Sequence, residues 1–220
     1  MTWQAIIQEP SQKANACVIW LHGLGADGYD FEGITQELGL PLAHGVRFIL
    51  PHAPTLPVTL NFGYVMPAWY DIIAIDMNAK EHEEGIRISQ AILNDLIQDN
   101  INDGIPANRI ILMGFSQGGA LALHTALRYE KPLAGIGCLS GYLPLHRLLE
   151  KEKNPANQHI PIFMAHGLMD DIVPLKMANL SLTLLQEAGY QPAWHTYPMA
   201  HGVCHEELQD IGKWIMGILF

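Results

Sequence analysis

The chain is short of positive charge, of cysteine and of long apolar runs. Twelve Lys and Arg stand against 22 Asp and Glu in 220 residues, a formal net charge of −10 at pH 7. That deficit argues against electrostatic capture of nucleic acid or of an anionic membrane surface. The cysteines Cys17, Cys138 and Cys204 form an odd, widely spaced set without a CxxC, and they read as reduced thiols of a cytoplasmic protein. A chain of this length buries roughly 70% of its unfolded surface, so its core needs no disulfide or metal staple. Apolar stretches such as Trp214 to Phe220 fall far short of the ~20 residues that cross a bilayer, which argues against integral membrane association. Met1 to Glu9 has no early Lys or Arg and no long apolar core, so it does not read as a secretory signal. Internal repeats, low-complexity tracts and Pro/Ser-rich linkers are also missing. At ~100–200 residues per domain, one domain over 1–220 is expected.

What is present is a chain that is 49% apolar, normal for a globular protein. Short apolar runs recur at 17–21, 46–50, 109–113, 133–139, 160–165 and 193–197. They are nearly continuous in hydrophobicity rather than alternating, which predicts strands covered on both faces. Helical patterns separate them. Ile88, Ile92, Leu93, Leu96 and Ile97 form one stripe, preceded by Glu81, Glu83 and Glu84, where a helix N-terminus favours negative charge. Leu208, Ile211, Ile215, Ile218 and Leu219 form another on a C-terminal helix. Alternating strands and helices predict an α/β fold with a mostly parallel central sheet. Ala53 to Tyr70 breaks the alternation. It carries three prolines and many apolar residues and is long for a connection, so it reads either as a lid or pocket wall or as a loop packed on the core.

Gly114-Phe-Ser116-Gln-Gly118 follows the strand ending at Met113 and opens a helical run from Gly119 to Tyr129. This is the G-x-S-x-G nucleophile elbow in its strand–turn–helix setting, with glycines where the chain must turn sharply. At the frequencies of Gly and Ser here, about 0.04 such matches arise by chance. A serine hydroxyl needs a base to take its proton and a third group to orient that base. On such a fold the partners follow as acid, then histidine. Asp170 and Asp171 are the acids just after a strand end. His201 lies in the loop Pro198 to Gly202 before the last helix, where it can reach across the sheet edge. His195, within a strand, reads as a packing residue, and His22 and His166 as loop supports.

Two weaker signals carry less chemistry than their spacing suggests. Gly23 to Gly28 matches G-x-G-x-x-G, but the next strand ends Ile49-Leu-Pro-His52 with no acid to hold a ribose. An oxyanion loop reads better, with the N–H of Gln117 as the second donor. His201, Cys204 and His205 have ligand-like spacing but no H-E-x-x-H and no convincing further ligands, so no metal is expected.

Leu21-His-Gly-Leu-Gly-Ala-Asp-Gly28, Pro51-His-Ala-Pro54, Pro57-Val-Thr-Leu-Asn61, Ala68-Trp-Tyr-Asp71, Gly114-Phe-Ser-Gln-Gly-Gly119, His166-Gly with Asp170 and Val173-Pro174, and His201-Gly202 together run over almost the whole chain. They resemble the acyl-protein thioesterase and carboxylesterase family of α/β-hydrolases, its bacterial carboxylesterases in particular. The resemblance implies an α/β-hydrolase fold with helices on both sheet faces and no large cap domain. It implies Ser116, Asp170 and His201 as triad, the spacing from His166-Gly167 favouring Asp170 over Asp171. Leu24 and Gln117 would supply the oxyanion hole. Leu60, Phe62, Met66 and Trp69, apolar residues of the long Ala53 to Tyr70 segment, are expected to line the substrate site. No cofactor is implied. The partner would be a small-molecule or lipid-like ester, or an acylated protein, and a homodimer is compatible with it. Because Phe62 stands where a smaller residue is common in the family, a narrowed acyl site is expected. The resulting expectation is a serine carboxylesterase for short to medium acyl chains, working through an acyl-enzyme. Its alternative is an acyl-protein thioesterase or lysophospholipase for longer chains.

Overall fold

The computed structural model describes residues 4–43, 45–76 and 79–220; Met1 to Trp3 of the N-terminal stretch read above lie outside them. Nine strands are present among the described residues: β1 (Ala5–Gln8), β2 (Ala16–Leu21), β3 (Val46–Pro51), β4 (Thr55–Val58), β5 (Tyr64–Pro67), β6 (Ile110–Phe115), β7 (Gly135–Leu139), β8 (Ile162–Gly167) and β9 (Ala193–Tyr197). Seven form one sheet in the order β1-β3-β2-β6-β7-β8-β9, and β4 and β5 pair separately. Only β1 runs antiparallel in the main sheet. Helices α1 (Ile34–Glu37), α2 (Glu83–Asn102), α3 (Gln117–Ala126), α4 (Leu149–Glu152), α5 (Leu175–Glu187) and α6 (His205–Leu219) make up the rest. This is the α/β-hydrolase fold, and among the described residues no large cap covers it.

The continuous apolar runs are explained by burial on both faces. Along β2, Cys17, Ile19 and Leu21 face one core while Ala16, Val18 and Trp20 face the other. The first core packs α2 and α3, and the second packs α6. All six predicted strands form, within two residues at each end. One helical stripe shifts. Ile88 is exposed, whereas Ile86, Ser89, Leu93, Leu96 and Asn100 are buried. At 100° per residue Ile88 sits about 120° from the centre of that face, so its spacing to Ile92 misleads.

The Ala53–Tyr70 segment is a hairpin. β4 and β5 are joined through a tight turn over Thr59–Asn61, and the turn is fastened by Thr59 N–H and Oγ donating to Asp71 Oδ1 and Oδ2 at 2.7 and 2.6 Å. Its base is core, with Val58, Ala68 and Trp69 buried. Its turn is pocket wall, so each of the two sequence readings describes one end.

In the first turn of α6, Glu207 is fully buried, and neither carboxylate oxygen has a protein hydrogen-bond partner among the described residues. Burial pushes its carboxyl up to about 8, and the nearby Cys204 N–H opposes that shift only in part. Because the folded value exceeds the unfolded one, the native state holds the extra proton between about pH 4.5 and 8. Stability therefore falls as pH rises through that window, by an amount on the order of a few kcal/mol. Glu207→Gln keeps the shape without the charge. Its melting temperature is expected to match the wild type near pH 5 and to exceed it by several degrees above pH 8. Thermal melts across that range check this, and parallel pH profiles for the two proteins would contradict it.

Candidate active site

Ser116 lies between the C-terminal end of β6 and the start of α3, at φ 55° and ψ −119°. A residue held there is strained, and its surroundings enforce it. Ser116 N–H donates to Leu139 O at 2.7 Å, and Ala120 N–H donates to Ser116 O at 3.0 Å. The flanking glycines are required sterically. A Cβ on Gly114 would lie 2.5 Å from the Gly118 carbonyl carbon, and one on Gly118 would lie 2.5 Å from Leu21 O and 2.6 Å from His22 O.

His201 reaches the serine from the loop between β9 and α6. Its Nε2 lies 2.9 Å from Ser116 Oγ, and its Nδ1 lies 2.7 Å from Asp170 Oδ2. With Asp170 as acceptor, the network places the imidazole proton on Nδ1 and leaves Nε2 to accept from the serine hydroxyl. The ring packs against Phe115 at 4.7 Å between centroids. Asp170 Oδ1 accepts from Ile172 N–H at 3.0 Å and Val173 N–H at 2.8 Å. His166, also fully buried, donates through Nε2 to Val173 O at 2.7 Å and stands 3.3 Å from Asp170 Oδ2. Burial lowers its pKa, which keeps it neutral. Asp171 is exposed and makes no part of this chain of bonds.

The serine opens into a cavity of about 580 Å³, within the usual range for a small-molecule site. Leu24, Gln117 and Leu60 line it, along with Ile72, Ile75 and Tyr142, which the sequence reading missed. Tyr142 follows the C-terminal end of β7, on the sheet edge where α/β proteins bind ligands, and that rule is the signal that pointed to it. The other three substrate candidates lie elsewhere. Phe62 is fully exposed at the hairpin tip, at φ 56°, and does not line the cavity, so its bulk narrows nothing. Met66 sits beneath the glycine loop, 3.6 Å from where a Gly25 Cβ would lie, and accepts a weak bond from Asn61 Nδ2 at 3.4 Å. Trp69 is buried behind the site.

Both ring nitrogens of His201 are engaged, while His205 is exposed and faces Glu37 at 3.2 Å, so His201, Cys204 and His205 do not converge. The Gly23–Gly28 loop leads into a single tight turn, Gly28–Phe31, whose start is capped by the carboxylates of Asp27 and Asp30. Such a turn offers no helix N-terminus to a pyrophosphate.

A mostly parallel sheet with a strained serine at a strand end, hydrogen-bonded to a histidine and through it to a buried aspartate, defines a hydrolase of the α/β-hydrolase class. The family model described as phospholipase/carboxylesterase matches residues 3–219, and the chain belongs to that family. Acyl-protein thioesterase 1 of Neurospora crassa is 46% identical over 208 residues, covering 90% of this chain and 85% of that protein. Its namesake in Cryptococcus neoformans is 35% identical over 227 residues, covering 96% and 95%. Among solved structures, Arabidopsis thaliana SOBER1 superposes with a TM-score of 0.89 at 29% identity, over 94% of this chain and all of that one. Zea mays acyl-protein thioesterase 2 gives 0.88 at 28%, over 99% of this chain and all of that one.

Proposed function

We propose that this protein hydrolyses acyl thioesters and esters with medium to long chains, including those of acylated proteins, through an acyl-enzyme on Ser116. The carrying observation is the bonded series Asp170–His201–Ser116 at the mouth of a largely apolar cavity. Ser116 Oγ attacks the carbonyl carbon as His201 Nε2 takes its proton, and Asp170 holds the ring and stabilises its charged form. The N–H groups of Leu24 and Gln117 receive the developing oxyanion. His201 returns the proton to the departing thiol or alcohol, and a water molecule repeats the sequence on the acyl carbon to free the serine.

Two features favour longer chains over the short-to-medium carboxylesterase expected from the sequence. Phe62, the residue thought to shorten the site, stands outside it, and the relatives at 46% and 35% identity are named acyl-protein thioesterases. Each methylene buried in the cavity contributes up to ~0.8 kcal/mol, about fourfold. The specificity constant kcat/KM is therefore expected to rise severalfold per methylene from acetyl to at least octanoyl, for oxygen and sulfur esters alike. Phe62→Gly should leave that profile unchanged. A panel of matched esters and thioesters checks both points. An optimum at acetyl with no thioester turnover would restore the short-chain carboxylesterase.

A further inference from the structure

Trp69 was expected to touch substrate, yet it lies outside the cavity with 1% of its surface exposed. Its polar atoms are all engaged with distant parts of the chain. The backbone N–H donates to Gln117 Oε1 at 2.9 Å, and the indole Nε1–H donates to the His22 carbonyl at 2.9 Å. Ser89 Oγ donates to its carbonyl. The indole also packs on the His22 imidazole, with 5.1 Å between ring centroids.

Two of these partners belong to the two arms that face the reacting carbonyl. His22 leads into Gly23-Leu24 after β2, and Gln117 follows the nucleophile after β6. The strands are neighbours, with Leu21 opposite Gly114. The arms touch where Gly118, lacking a side chain, lets its backbone approach the His22 carbonyl. Neighbours of Trp69 repeat the fastening on each side: Gln117 Nε2 donates to Tyr70 O at 2.7 Å, and Gly25 N–H donates to Pro67 O at 2.8 Å. Both arms are thus tied to one short segment, and Trp69 alone bonds to each.

We infer that Trp69 is a positioning residue that sets the spacing between the two oxyanion donors, the N–H groups of Leu24 and Gln117. The inference rests on the serine-esterase reading above. Donors in such a hole act because they are fixed before charge develops, and they must meet the oxyanion at about 2.7–3.1 Å. Loops carried by separate strands hold that spacing only if cross-tied. The indole suits the task because it is rigid and its one polar atom is a donor. Phenylalanine fills much of the same space but leaves the His22 carbonyl without this bond.

The test uses Trp69→Phe and, as a closer isostere, a variant with 3-benzothienylalanine at this position, where sulfur replaces the N–H. Active sites are counted with a fluorophosphonate. The kinetic constants are measured with a thioester, and inhibition is measured with a trifluoromethyl ketone of the same acyl chain, whose serine adduct carries an oxyanion. The expected result is a fall in kcat per active site of about 10- to 100-fold, with KM within about twofold. The ketone should weaken by the same factor as kcat/KM, because both depend on the oxyanion. Loss of folded protein alone would lower the count of sites and leave these ratios unmoved. A folded benzothienyl variant with wild-type kcat per site would overturn the inference. So would a fall in kcat/KM that the ketone does not follow. If the wild type itself takes no fluorophosphonate and turns over no ester, the serine-esterase reading fails first and this inference with it.

Discussion

Ser116→Ala is expected to lower kcat for esters and thioesters by about 10⁶-fold and to abolish labelling by a fluorophosphonate. The environments of the other serines explain why none can replace it. Ser89 and Ser181 are buried and donate to the carbonyls of Trp69 and Met177, and Ser11 donates to Leu42 O. Ser140 shares the positive φ of an elbow, at 48°, but it is fully buried and its hydroxyl meets no base. Only Ser116 pairs with a histidine at the cavity. Mass spectrometry of the labelled protein locates the adduct. An adduct elsewhere, or turnover in the alanine variant above a tenth of wild type, would refute the assignment of nucleophile.

The adjacent acids should separate by orders of magnitude. Asp170 Oδ1 takes two backbone N–H bonds, so in Asp170→Asn the amide oxygen is held at that position. The amide NH₂ must then face His201 Nδ1, which can accept it only by moving the ring proton to Nε2. That tautomer cannot take a proton from Ser116, and kcat is expected to fall by about 10⁴. Asp171→Asn changes an exposed side chain at the mouth of the cavity and should stay within about tenfold. Saturation kinetics on both variants check the order, and its reversal would move the acid to Asp171.

Much of this site was legible in advance because its signals are local. The elbow needs two glycines at fixed spacing around Ser116, and the strands that carry function are continuous apolar runs. What was not legible depends on contacts between distant positions. Trp69 and Met66 read as pocket residues from hydrophobicity alone, since nothing nearby reveals that one binds Gln117 and the other lies under Gly25. Phe62 misled for the opposite reason: a large apolar side chain suggests burial, whereas a tight turn with a left-handed residue throws it into solvent. β1 escaped notice because a half-exposed four-residue edge strand has neither a continuous nor a cleanly alternating pattern. α5 was passed over as well, although Met177, Ala178, Ser181 and Leu185 form its buried face.

The hairpin of β4 and β5 divides labour within the molecule. Its root is core and its turn borders the cavity, but its tip at Phe62 and Gly63 is free of both. The bonded series at Ser116 is thereby lodged at the strand ends of the sheet, while Phe62 stands on an outlying finger. A substitution at that fingertip therefore alters the outer surface without touching the bonds that join Ser116, His201 and Asp170.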